Sequence, residues 1–367
     1  MSRRREEKQT HPVVKFFKIL LTLVIIVVLA AVALFAFLSA TEYKPADRAT
    51  LDVEGKAQET LAEGDSLTIV TWNIGYCALG DNADFFMDGG KSVMTASKDR
   101  VKLNLAGILE GLGGMDPDIV FLQEVDKDSA RSRHINEYEI VQSILIDKQS
   151  SFANNFKVAF LPYPIPPIGK VDSGVATFSA YPVASAERVQ LPIPFAWPIR
   201  MANLKRCVLV SRVPVEGSDK ELVLMNLHLE AYDSGEGKVA QTKMLAELLH
   251  AEAEKGNYVI AGGDFNQIFS SADVNAYPNL GGEWTPGLID VDAIEGDWQF
   301  LMDATHPSCR SLRTPLEGAD PDPTHFQYYL IDGFIVSGNL QVDSLATQDL
   351  GFVNSDHNPV LMQVTLR

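Results

Sequence analysis

The residues best able to do chemistry in this chain stand at the ends of apolar runs. Tyr258-Val259-Ile260-Ala261 reads as a buried strand, and it breaks into Gly262-Gly263-Asp264-Phe265-Asn266. Two glycines allow a sharp turn or a close approach of backbone to a ligand. Asp264 and Asn266 are two apart, so in extended chain a carboxylate and a carboxamide point the same way. Turn chemistry alone would also favour Gly, Asp and Asn here, and the other strand ends weigh against that bland reading. The run Leu67–Trp72 ends at Asn73, another common turn residue. Ile119-Val120-Phe121-Leu122 ends at Gln123-Glu124, and a Glu closing such a strand needs a partner or a metal if buried, or solvent at a sheet rim. Leu222–Leu229 carries Asn226 and His228 on one face, opposite Met225, Leu227 and Leu229. A lone Asp332 interrupts Tyr328–Val336, and Ser355-Asp356-His357 precedes a last alternating strand, Val360 to Leu366. Carboxylates, amides and imidazoles gathered at strand ends suit in-line attack on a phosphodiester, which needs charge stabilisation more than a protein nucleophile. The sequence carries neither a nucleophilic-serine signature nor a Walker-type phosphate loop.

Helices must carry the chain between these strands. Val101, Leu105, Ile108, Leu109 and Leu112 make an apolar stripe, and Gly113-Gly114 is expected to end that helix. Lys238 to Lys255 predicts a second helix, with Leu245, Leu248 and Leu249 inward, stopped by Gly256-Asn257. Val208–Val210 and Leu222–Leu229 read as a hairpin around Glu216-Gly217-Ser218. Two segments are apolar yet rich in proline, Leu161–Lys170 and Leu191–Arg200, which rules out regular helix or central strand. They read equally as a contact surface or as a rigid lid over the core. Arg131, Arg133 and His134 form a basic cluster that reads as a solvated loop or as a face for phosphate. The region from Asn266 to about Gln327 is rich in Gly, Pro and Asp, and its His306, Cys309 and His325 receive no role.

Residues 19–38 hold no charged side chain, and twenty such residues as a helix span about 30 Å, a bilayer core. Residues 1–18 are basic through Arg3, Arg4, Arg5, Lys8, Lys15 and Lys18, so the positive-inside bias puts the N-terminus in the cytoplasm and the rest outside the cell. The run is longer than the usual apolar core of a signal peptide, which favours an uncleaved anchor. Residues 39–65 are polar and read as a linker, leaving 66–367 as one domain. The first 18 residues carry six basic and two acidic side chains, which leaves −21 on the rest of a chain whose formal net charge is −17. So acidic a domain lacks the electrostatic footprint of a nucleic-acid binder. Cys77, Cys207 and Cys309 are an odd number without metal-ligand spacing and are expected as core or free thiols.

Thr71-Trp72-Asn73, Gln123-Glu124, Asn226-Leu227-His228, Gly262–Asn266, Ile331-Asp332 and Ser355-Asp356-His357 occur in this order over about Leu67 to Leu366. In this the chain resembles the endonuclease/exonuclease/phosphatase superfamily, which includes pancreatic deoxyribonuclease, abasic-site endonucleases, neutral sphingomyelinases and inositol-polyphosphate 5-phosphatases. The resemblance implies an α/β fold of four layers, two packed, mostly antiparallel sheets flanked by helices, and cleavage of phosphate esters with a divalent metal. It implies Glu124 as the main metal carboxylate with Asn73 and Asp356 beside it. Oxygen ligands suit Mg²⁺, with Mn²⁺ or Ca²⁺ as alternatives. Asp264 would orient or deprotonate the attacking water, Asn266 would hold that geometry, and Asn226 would lie at the substrate. His228 and His357 would donate to phosphoryl oxygens, and Asp332 would hold His357. Asp264 and the Asp332–His357 pair both stand as candidates for the base.

The family leaves the substrate open. The anchor, the acidic domain and the apolar proline-rich loops lean toward a phospholipid or sphingomyelin-like headgroup at the outer face of the cell membrane, acted on by a monomer. An extracellular nuclease, a phosphatase for small phosphorylated molecules and an inactive binding module are the alternatives.

Overall fold

The computed structural model describes residues 12–233, 235–281 and 284–367. They fall into two units, one ending at Tyr43 and one running from Lys44 to Arg367. The first is helix α1, Pro12–Thr41, whose length and composition fit a membrane span and a signal sequence alike. Arg3, Arg4, Arg5 and Lys8, on which the expected orientation leans, lie outside the described residues.

The second unit contains, in chain order, strands β1 (Arg48–Leu51) and β2 (Ser66–Asn73), helix α2 (Lys98–Met115), β3 (Ile119–Asp126), α3 (Glu137–Ile144), β4 (Gln149–Leu161), β5 (Gly169–Ser179), β6 (Ser185–Gln190), β7 (Cys207–Glu216), β8 (Glu221–His228), α4 (Glu236–Ala253), β9 (Tyr258–Asp264), β10 (Trp298–Leu301), β11 (Asp332–Ser337), β12 (Leu340–Thr347) and β13 (Val360–Leu366), with shorter pieces between. One sheet runs β12-β13-β2-β3-β5-β4 and ends on Glu54–Gly55. The other runs β1-β6-β7-β8-β9-β11-β10, with Leu61–Ala62 against β7. Apart from the short Leu61–Ala62 piece, which also runs parallel to β7, each sheet contains one parallel pair, β2 with β3 and β8 with β9, among antiparallel neighbours. A parallel pair needs a crossover. Helix α2 makes the first and α4 the second.

The sheets pack face to face. Leu67, Ile69, Ile119 and Phe121 of one meet Leu222, Leu224, Ile260 and Phe334 of the other in a shared core. Each such side chain removed from water contributes about 1.5–3 kcal/mol. On the outer face of the first sheet, Val70, Trp72 and Leu122 lie under Leu105, Ile108 and Leu112 of α2. On the outer face of the second, Val223, Met225 and Leu227 lie under Leu245 and Leu249 of α4. The order of layers is therefore helix, sheet, sheet, helix, as expected. Trp72 and Asn73 alternate faces as a strand requires, the indole toward α2 and the amide toward the cleft described below.

Three details depart from the sequence reading. Residues 39–65 are not a linker throughout, because β1 pairs with β6 and Leu61 joins the shared core. Polar side chains on a short edge strand hide its pairing from a composition argument. Helix α2 passes through Gly113-Gly114 to Met115 and ends on Asp116 in the left-handed conformation (φ 45°). Its start is set by Ser97, whose Oγ accepts from the backbone N–H of Arg100 at 3.2 Å. Within the region left unassigned after Asn266, Trp298–Leu301 is an edge strand against β11.

Candidate active site

Strand register brings the polar residues together. In the β8–β9 ladder His228 faces Asp264, and in the β9–β11 ladder Asp264 faces Asp332. In the other sheet Asn73 faces Gln123. All of these lie at the carboxyl ends of the parallel pairs, where crossover connections leave the strands and a crevice opens. Gly263 is required there: its φ is +149°, and a Cβ would come within 1.9 Å of the Leu227 carbonyl oxygen. Glu124 sits where the β3–β5 register slips, with φ 55°, and the bulge turns its carboxylate into the cleft rather than along the strand.

The geometry centres on Asp264. Its Oδ1 accepts from the backbone N–H of Asn266 at 2.9 Å, and its Oδ2 accepts from Asn73 Nδ2 at 3.0 Å. His228 Nε2 lies 3.4 Å and His357 Nε2 3.8 Å from that same Oδ2. Burial, reinforced by the neighbouring Asp332, pushes the Asp264 carboxyl up to about 7. Asn266 holds the turn, with φ 51° and its Nδ2 donating to the Leu229 carbonyl at 2.9 Å. His357 is pinned from behind, its Nδ1 2.8 Å from Asp332 Oδ2. The Ser308 hydroxyl accepts from the N–H groups of Ile331 and Asp332 and so fixes the start of β11.

The two imidazoles differ. Burial pulls His228 well below its ordinary range, and the nearby Arg206 adds to this. Burial also acts against charge on His357, but the Asp332 carboxylate overrides it and holds the ring well above its ordinary range. The two imidazoles beside Asp264 are thus pushed in opposite directions, His228 toward the neutral form and His357 toward the charged one.

Asp356, His357 and Cys309 form one group that could hold a metal ion, and Asp264, Asp332 and His357 form another. Asp356 is buried, and burial raises its carboxyl to about 7; His357 opposes the rise and the Glu124 charge adds to it. Glu124 and Asp356 both line the cleft, and carboxylate oxygens of this kind suit a hard divalent cation. His228 Nδ1 points the same way, 4.0 Å from Glu124 Oε1 and without a hydrogen-bond partner although buried. Gly75 makes room, since a Cβ there would lie 2.7 Å from Asp356 Oδ1.

Asn73 is tied into the site by both ends of its amide. Its Oδ1 accepts from the Gly75 N–H at 3.0 Å, while its Nδ2 donates to Asp264 and reaches Glu124 at 3.4 Å. It joins the two carboxylates. Asn226 is placed behind the cleft rather than at the substrate. Fully buried between the sheets, it accepts from Gln123 at 2.8 Å and donates to the carbonyls of Leu122 and Ala176. Alternation puts Asn226 and His228 on the same face, but only His228, at the strand end, reaches the cleft.

The cleft holds about 430 Å³. Beyond the polar floor its wall is apolar, formed by Phe85, Phe86, Phe156, Leu161, Ile168 and Phe195. Of the basic cluster only Arg131 lines it, stacked 3.7 Å over the Tyr76 ring and hydrogen-bonded to Asp126 and Ser173. Arg133 donates to the Ala96 carbonyl and His134 meets Asp128 at 2.6 Å. Arg206 and Arg310 also line the cleft and carry no expectation from sequence. Arg206 donates to the His228 carbonyl and Glu230, and Arg310 to carbonyls of the loop 79–83. A pair of basic residues, Lys205-Arg206, entering an apolar strand of an acidic domain was the one signal for the first. All three cysteines are buried free thiols, as expected.

Residues 70–357 match a family model described as Endonuclease/Exonuclease/phosphatase family. Among curated proteins no sequence matches. Several solved structures share the fold. An endonuclease/exonuclease/phosphatase from Beutenbergia cavernae gives a TM-score of 0.54 at 18% identity, covering 82% of this chain and 72% of that one. One from Bacteroides vulgatus gives 0.52 at 14% identity, covering 83% and 100%. D. rerio TDP2, complexed with single strand DNA product, gives 0.52 at 15% identity, covering 82% and 99%.

Proposed function

The chain belongs to the endonuclease/exonuclease/phosphatase family, and we propose that it hydrolyses a phosphodiester, with a divalent cation, in a phospholipid or sphingomyelin-like headgroup at the outer face of a membrane. Members of the family are hydrolases of phosphoester bonds and typically depend on a divalent metal. The observation that carries the reading is the convergence of Asp264, His228 and the Asp332–His357 pair with Glu124 and Asp356 in one cleft.

Glu124 and Asp356 would hold the cation, Mg²⁺ by the oxygen character of the site, which when bound supplies charge stabilisation to the phosphoryl oxygens. Asp264 is suited to take the proton of the attacking water, because a carboxylate raised to about 7 is matched to that task near neutral pH. Its Oδ1 is held by the Asn266 N–H, so one oxygen is fixed while the other faces the reaction. His357, held protonated by Asp332, is suited to donate to a phosphoryl oxygen and poorly suited to act as the base. His228 stays neutral and can donate through one ring nitrogen while accepting at the other. Asn73, joining Glu124 to Asp264, keeps the two halves of the site in register.

The lean toward a lipid rests on the apolar wall beside the polar floor and on the charge of −21 outside residues 1–18. The test uses the full chain with Mg²⁺ and then with chelator, on phosphatidylcholine vesicles, sphingomyelin vesicles and plasmid DNA, beside His357→Ala. Metal-dependent headgroup release with intact DNA is expected. Nicked DNA with untouched vesicles would sink the lipid reading in favour of a nuclease. No turnover on any ester, with the variant indistinguishable from the parent, would make the domain a binding module.

A further inference from the structure

Two proline-rich loops reach the mouth of the cleft, residues 162–168 between β4 and β5 and residues 191–206 between β6 and β7. Tyr163 and Ile168 of the first and Phe195 and Leu204 of the second line its wall. Their bases are held. Ile168 clusters with Val158 and Val171, with Phe86, Phe156 and Ala202 packed against them. Tyr163 also meets Phe86 edge-on at 5.7 Å between ring centroids. Proline at 162, 164, 166 and 167 and at 192, 194 and 198 fixes φ along both loops. The tips face outward. Ile165 is 95% exposed, Tyr163 and Ile199 are 64% exposed, and Trp197 is 62% exposed.

Stiff loops that both line the cleft and hold large apolar tips outward make a contact surface rather than scattered exposure. Two occupants compete, a second copy of the chain and a bilayer, and three observations favour the bilayer. The chain carries α1, thirty residues that fit a membrane span. In the chain only Glu42–Asp47 separate α1 from β1. The side chains are Trp, Tyr and Ile, the amphipathic rings and aliphatic groups that settle at a headgroup boundary. With −21 outside residues 1–18, the chain gains nothing from an anionic surface, which leaves apolar insertion into a zwitterionic leaflet.

We infer that Tyr163, Ile165, Trp197 and Ile199 form a docking surface that seats the cleft mouth on a zwitterionic phospholipid leaflet. This deepens the lipid reading above and rests on it for the substrate, while the docking itself can be read without turnover. The apolar wall running inward from the tips then offers a path along which the apolar part of a lipid accompanies its headgroup to the floor.

The experiment places the full chain in phosphatidylcholine nanodiscs with plain or brominated acyl chains. The protein has four tryptophans, and none lies in α1. Bromination should quench part of the emission, and Trp197→Phe should remove that quenched part. Ile165→Asp with Ile199→Asp should abolish the quenching and lower headgroup release from disc lipid about tenfold. Turnover of a soluble phosphodiester, bis(p-nitrophenyl) phosphate, should change less than about twofold, because neither residue lines the cleft. Quenching without any headgroup release by the parent would keep the docking surface and end the lipid-substrate reading. Headgroup release that is unchanged in Ile165→Asp/Ile199→Asp, with no quenchable Trp197, would keep that reading and overturn the docking surface. Dimerisation abolished by Ile165→Asp, with no quenching, would give the tips to a second copy and overturn it too.

Discussion

Asp332 Oδ2 lies 2.8 Å from Nδ1 of His357, and the other nitrogen of that ring lies 3.8 Å from Asp264. One carboxylate orients and charges the ring, and the ring faces a second carboxylate across the reaction site. Asp332 is wholly buried at the first position of β11, where Ser308 fixes its main chain. Asp332→Asn keeps the shape and removes the charge. The expected outcome is a fall in kcat of about 10²–10⁴-fold with KM little changed. The pH profile separates this from a folding defect. Asp332 holds His357 above its ordinary range, so its loss lets the ring lose its proton at lower pH. The alkaline fall of kcat should move to lower pH in Asp332→Asn. An unmoved alkaline limb would leave Asp332 a structural role only.

Asp356 affects stability with pH in the opposite sense to a carboxylate whose value is depressed on folding. Its folded value of about 7 lies above the ordinary 3.8, so its stabilising contribution is present at low pH and is lost as pH rises toward and through 7. Without metal, the melting temperature of the parent should fall more from pH 5 to pH 8 than that of Asp356→Asn. Mg²⁺ should raise the parent's melting temperature at pH 8, through binding to the folded state alone, and chelator should reverse this. Glu124→Gln and Asp356→Asn should each lose most of that rise. An equal Mg²⁺ shift in both variants would move the cation away from these carboxylates.

Much of this site was legible because strand chemistry is. Alternation fixed which face Asn226 and His228 share, and strand ends marked Asn73, Glu124 and Asp264, while Asp332 reads as internal to a strand that in fact begins with it. The burial of Asn226 was not legible, since one strand's pattern does not tell which sheet will pack upon it. Asn73 is a turn residue by type and a ligand only by resemblance, and only the turn at Gly75 shows where its oxygen goes. Arg206 and Arg310 were silent because their partners are main-chain carbonyls, which leave no trace in sequence. The early strand Arg48–Leu51 was hidden for a related reason: its partner, β6, lies far along the chain. A fragment cut at Ser66 would therefore lose an edge strand and the core side chain of Leu61.

Gly263 bears on both the fold and the site. Its φ of +149° is open to glycine, and any Cβ would overlap the Leu227 carbonyl oxygen at 1.9 Å. That carbonyl belongs to the parallel neighbour, β8, one residue before His228. Gly263→Ala should destabilise the chain by about 3 kcal/mol or more and should also lower turnover, because relief requires β8 and β9 to separate where His228 meets Asp264. Gly217 gives the contrast: its φ is +75° and a Cβ there would meet nothing within 4 Å, so Gly217→Ala should cost only about 1–2 kcal/mol and leave turnover intact. Equal melting temperatures for the two variants would refute the steric account.

Glu252 ties the far end of α4 to the sheet that carries the site. It is buried near the end of the crossover helix, and both its oxygens meet Arg212 of β7, with Nη1 at 3.1 Å. Asn257 Nδ2 and Lys255 Nζ each donate to it at 2.8 Å. Burial acts to raise its carboxyl, but these donors, Arg212 foremost, outweigh burial and bring it down to about 2. A depressed carboxylate contributes stability above its ordinary value of 4.5, and that stability is lost as pH falls from there toward 2. Relative to Glu252→Gln, the parent should therefore melt higher at pH 7 and lose that advantage between about pH 4.5 and pH 2.5. The variant leaves Arg212 half-satisfied, since Glu221 still accepts from it at 2.9 Å, so the chain should fold and the comparison can be made. Because α4 delivers the chain to β9, loosening this clamp should raise the mobility of the helix without moving Asp264, whose register is held by β8 and β11. Turnover at pH 7 should accordingly stay within about twofold of the parent, the size expected for a residue remote from the reacting atoms. A large loss of kcat in Glu252→Gln at pH 7 would mean that helix and site are coupled more tightly than their separate ladders imply.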